Sequence, residues 1–61
     1  MTTREQIAGN EKALAHAKAT LAEIEKTNKR IPGFYPETDV NQARKVVALY
    51  EKRLARQYAS L

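Results

Sequence analysis

His16 is the only histidine, Ser60 the only serine, and there is no cysteine. Nucleophilic catalysis needs a Ser–His or Cys–His pair with a third group to orient the base. Ser60 is penultimate, and an antiparallel helix pairing that sets Ile31 against Val40 puts His16 beside Ala55, a turn or more from it. Glu23 and Glu25 are two apart on a helix and point to nearly opposite faces, so they cannot share a proton. The only glycines are Gly9 and Gly33, so no glycine-rich phosphate loop can form. One histidine without cysteine or an i,i+4 second histidine does not make a transition-metal site. The residues point away from an enzyme, and no cofactor or metal is expected.

Two other groups could bind rather than react. Phe34 and Tyr35 are adjacent aromatics between Pro32 and Pro36. A stiff aromatic pair at a loop tip can anchor a protein partner, or it can fold back over the end of a helix pair. Lys45, Lys52 and Arg56 fall on one stripe of a helix, with Leu49 between them and Arg53 beside it. Such a stripe can follow a phosphate backbone, although any bundle helix also has a solvated outer face. Phe34, Tyr35, Leu49 and Arg53 are the candidate protein contacts. Lys45, Lys52 and Arg56 are the candidate nucleic-acid contacts.

The elements that position these groups are two amphipathic helices. Thr2 with Glu5, or Thr3 with Gln6, can form a capping box. Ile7, Leu14, Leu21 and Asn28 then recur every seven residues, with Asn10, Ala17, Ile24 and Ile31 three later each time. This predicts a helix over about 3–30, continuous through the weak point at Gly9–Asn10, with Glu25 and Lys29 as an i,i+4 pair. Residues 31–38 form the connection, where Pro32 disfavours helix at Ile31 and Gly33 allows positive φ. A second helix over about 39–60 opens at Thr38 or Asp39, with Asn41 or Gln42 completing the cap. Val40, Val47 and Leu54 recur at seven, with Ala43, Tyr50 and Gln57 between them.

The fold class is therefore all-α, an antiparallel two-helix hairpin. Pairing Ile31 with Val40 sets Ile24 near Val47, Leu21 near Tyr50, Ala17 near Leu54 and Asn28 near Ala43. Ile7, Leu14, Leu21, Ile24, Val40, Val47, Tyr50 and Leu54 form the expected core. Leu, Ile, Val and Phe make up only 12 of 61 residues, and ten more are Ala, which buries little area. A hairpin this poor in large side chains, with one internal seam, should need a second surface. A homodimeric four-helix bundle is the expected form, with Val46 and Leu49 as further dimer contacts. In shape alone it resembles the small helical hairpins that dimerise into four-helix bundles.

Net charge is +4, from eleven Lys and Arg against seven Asp and Glu. The excess is spread evenly over the two halves, so there is no basic tail. No apolar run approaches the roughly 20 residues of a membrane span, and no apolar leader follows Met1. The expectation is a soluble, cytoplasmic, non-catalytic protein-binding module: an adaptor, inhibitor or assembly factor. Its size suits a phage or mobile-element accessory protein. A nucleic-acid-binding hairpin and a structural subunit of a larger assembly are the alternatives.

Overall fold

The computed structural model describes residues 2–61. Helix α1 spans Arg4–Arg30 and helix α2 spans Glu37–Ala59, and the two pack as an antiparallel hairpin. Its extents are 44 × 15 × 11 Å, a rod rather than a ball.

The start of α1 is a capping box formed by Thr3 and Gln6, not Thr2 and Glu5. The Gln6 amide donates to Thr3 Oγ1 and the Thr3 amide donates to Gln6 Oε1, both at 3.2 Å. These bonds satisfy backbone donors that the first helical turn leaves open. Glu5 in the first turn and Lys29 and Arg30 in the last complement the helix dipole. The helix runs unbroken through Gly9 and Asn10.

Pro32 acts as expected on its neighbour, holding Ile31 out of helical geometry at φ −127° and ψ 87°. Residues Ile31–Phe34 then form a β-turn with the pattern of type II. Pro32 takes its second position, Gly33 has φ +80°, and the Phe34 amide donates to the Ile31 carbonyl at 3.0 Å.

The entry to α2 corrects the sequence expectation. Neither Thr38 nor Asp39 caps it, and the helix begins at Glu37. Pro36, at φ −63° and ψ 157°, is the extended residue before the first turn, and its carbonyl accepts from the amides of Asp39 and Val40. Proline already has the φ this position needs. Thr38 and Asp39 are thereby drawn into the first turn, where Glu37 and Asp39 favour the helix through charge.

The core is thinner than the heptads imply. Ile7, Ala17 and Leu54 are buried, at 4–8% exposure. Leu14, Leu21, Ile24, Val40, Val47 and Tyr50 are only half-buried. One seam between two helices covers one side of each apolar stripe and leaves its flank to solvent.

The helix register also differs. Pairing Ile31 with Val40 would set Asn10 level with Leu61, Glu11 with Ser60 and Glu25 with Val46. Instead Asn10 bonds Gln57 at 2.9 Å, Glu11 accepts from Tyr58 at 2.9 Å, and Glu25 meets Arg44 at 3.4 Å. The second helix is displaced by roughly half a turn to one turn. Ile31 is left exposed, and Glu25 reaches across the seam to Arg44 rather than along its own helix to Lys29.

Asn28 accounts for the displacement. It does not face Ala43. Its Oδ1 accepts from the Tyr35 amide at 2.7 Å, and its Nδ2 donates to the Tyr35 carbonyl at 3.2 Å. The returning chain is thus fastened to the last turns of α1 by its backbone, and that anchor sets the height at which α2 starts.

Candidate functional site

The loop tip is built by three constraints acting together. Pro32 and Gly33 reverse the chain, the Asn28 amide grips both backbone polar groups of Tyr35, and Pro36 starts α2. The two aromatic rings divide between the roles open to them. Tyr35 is half-buried and meets Phe34 edge-on, with centroids 5.1 Å apart and an interplanar angle of 78°. That geometry is favourable for the ring quadrupoles. Phe34 is 57% exposed. One ring braces the turn and the other is presented to solvent.

The remaining candidate contacts stand elsewhere. Leu49 is 47% exposed on α2. Twelve residues separate it from the start of α2, so it lies roughly 18 Å along the helix from the tip. Arg53 lies over its own neighbour Tyr50, with Cζ 5.5 Å from the ring centroid. This cation–π contact occupies the guanidinium within the chain. The structure therefore does not gather Phe34, Tyr35, Leu49 and Arg53 into one patch. Lys45, Lys52 and Arg56 are exposed and make no ion pair among the described residues.

The cross-helix polar links do not follow from the heptad pattern. Asn10 and Asn28 do carry a signal, because each stands where the heptad calls for an apolar residue. Both use that place to make a side-chain bond, to Gln57 and to the Tyr35 backbone. Tyr58 is exposed and donates its hydroxyl proton to a Glu11 carboxylate oxygen. That bond, then desolvation and the nearby negative charge, raise the Tyr58 phenol above its ordinary value.

His16 is exposed and its Nδ1 and Nε2 take no hydrogen bond among the described residues; its carbonyl accepts from Thr20 Oγ1 at 3.0 Å. No helix among the described residues is long and apolar enough to cross a membrane. In class, the protein is an all-α helical hairpin with a braced aromatic tip. No protein-family model, curated protein or solved structure matches the chain.

Proposed function

We propose that the chain is a small, non-catalytic protein-binding module that occupies a surface of a larger protein, with Phe34 as its leading contact. Adaptors, inhibitors and assembly factors work in this way. A cytoplasmic setting suits a chain without cysteine. The observation that carries the reading is a large aromatic ring, more than half exposed, on a turn fixed from both sides. Ordering a free loop and its side chains on binding costs affinity, about 0.5–1.5 kcal/mol for each immobilised side chain. A tip already held by Asn28 avoids much of that cost.

The test is capture of partners from the source cell, followed by affinity measurement with Phe34→Ala. An anchor residue predicts at least a tenfold loss of affinity with helix content unchanged, since Phe34 lies in the loop between the helices and is 57% exposed. Full affinity in Phe34→Ala, and in the Phe34→Ala/Tyr35→Ala double variant, rejects the tip as the anchor.

A second reading rests on the exposed Lys45, Lys52 and Arg56, which make no ion pair among the described residues. It predicts binding to DNA or RNA that falls steeply with salt and weakens across all sequences when the three are neutralised. Lack of retention on either nucleic acid at low salt removes it.

A further inference from the structure

The two long sides of the hairpin are unlike. One is tied by the Tyr58–Glu11 bond and the Arg44–Glu25 ion pair. The other carries a shallow apolar groove of about 350 Å³, lined by Ala13, Ala17, Thr20, Ala43, Val46 and Tyr50. Past His16 it continues into a second hollow, of about 420 Å³, toward Ile24 and Tyr35. The Asn10–Gln57 bond crosses the seam beyond the Ala13 end of the groove, and no ion pair crosses the groove itself among the described residues.

The accessible surface of the chain is 4933 Å². A compact monomer of 6.9 kDa exposes about 4,000 Å², so the hairpin carries about 900 Å² in excess. Each partner in an interface of ordinary size contributes about 800 Å². The excess matches in size one protomer's share of such an interface.

We propose that this groove docks a second copy of the chain, laid antiparallel with its loop at the opposite end, so that two hairpins close into a four-helix bundle. Charge along the groove's α1 edge selects this arrangement. Glu23 lines the second hollow, and Lys12 lies one turn from His16 on the same edge. Glu5 is seven residues before Lys12 and Arg30 seven after Glu23. Lys12 and Glu23 are equidistant from the point between Ala17 and Lys18, at the middle of α1, and so are Glu5 and Arg30. A two-fold axis there sets Lys12 against Glu23 of the second copy and Glu5 against Arg30 of the second copy, with each pair repeated by symmetry. Placing the two loops together would lay α1 on α2 of the second copy instead. Glu11 is level with Tyr58 in the hairpin, so Lys12 would then be level with Gln57 of the second copy, next to Arg56, and Glu23 level with Val46, next to Lys45. That gives one repulsive pair and one attractive pair, where the antiparallel docking has two attractive pairs. Exposed pairs of this kind are individually weak, and they select orientation while apolar burial supplies affinity.

This inference does not depend on Phe34 as an anchor, and its test is separate. The chain has no cysteine, so Glu37→Cys at the exposed start of α2 takes one spin label. Sedimentation of the labelled chain should give twice the 6.9 kDa chain mass. The label-to-label distance should approach the 44 Å length of the hairpin. A distance within about 20 Å, the width of a bundle of helices spaced 8–10 Å apart, overturns the orientation. A helical monomer at all concentrations overturns the second copy as occupant. In a parallel arm, Lys12→Glu should weaken association about tenfold, because two symmetry-related pairs turn repulsive together. Adding Glu23→Lys should restore it, and a double variant as weak as the single one contradicts the pairing.

Discussion

Replacing Asn28 by alanine removes both bonds to the Tyr35 backbone. A net contribution of about 0.5–1.5 kcal/mol for each hydrogen bond puts the loss near 2 kcal/mol. Alanine is also the better helix former, returning about 0.6 kcal/mol within α1. The net expectation is a destabilisation of about 1.5 kcal/mol, large for a chain of this size. For a small domain this lowers the melting midpoint by roughly 6–12 °C. Thermal melts followed by circular dichroism, at one fixed protein concentration, measure it. Asn41→Ala is the control: Asn41 is an exposed helical asparagine without a side-chain bond among the described residues, so it reads the propensity gain alone. Asn28→Asp keeps the acceptor of the 2.7 Å bond but sets a carboxylate oxygen against the Tyr35 carbonyl oxygen where the 3.2 Å donor stood. Its carboxylate also faces the negative end of the helix dipole, so its stability should fall below that of the native chain. Amide exchange at Tyr35 gives a local readout, protected in the native chain and fast in Asn28→Ala. If Asn28→Ala melts at or above the native midpoint, with Tyr35 still protected, the clamp does not fix the loop.

Gly9 has open space around an added Cβ and ordinary helical backbone, so Gly9→Ala should stabilise α1 by about 0.5–1 kcal/mol in chemical denaturation. Gly33 has equal space but φ +80°, so Gly33→Ala should cost about 1–2 kcal/mol in the same assay. Tyr58 carries a phenol whose folded pKa is raised above its ordinary value of 10.0. Its contribution is therefore complete below 10.0 and lost as pH rises through the folded value, where the phenolate meets Glu11. Melts of the native chain should decline over that alkaline range more steeply than those of Tyr58→Phe, and parallel profiles would refute the bond's role.

Most of the architecture is legible in the residues. The seven-residue recurrence of Ile7, Leu14 and Leu21, and of Val40, Val47 and Leu54, fixes two helices and their facing stripes. Pro32 and Gly33 fix the reversal. Height along the seam is not legible in the same way, because any shift by a helical turn still brings apolar residue to apolar residue. It is decided by Asn28 gripping Tyr35 and by Glu25 choosing Arg44 over Lys29, contacts that depend on where the turn delivers the chain. The half-exposure of Leu14, Leu21 and Tyr50 follows from having one seam, which periodicity does not report. At the tip, the pattern Phe34–Tyr35 marks two aromatics, but only the Tyr35 backbone bonds decide which ring is held and which is presented.

The most direct measurement is sedimentation equilibrium of the unmodified chain, with helix content and melting midpoint followed over a wide range of concentration. A hairpin that exposes about 900 Å² beyond a compact monomer should sediment at twice 6.9 kDa, with a melting midpoint that rises as concentration rises. A helical 6.9 kDa monomer whose midpoint ignores concentration would contradict the account.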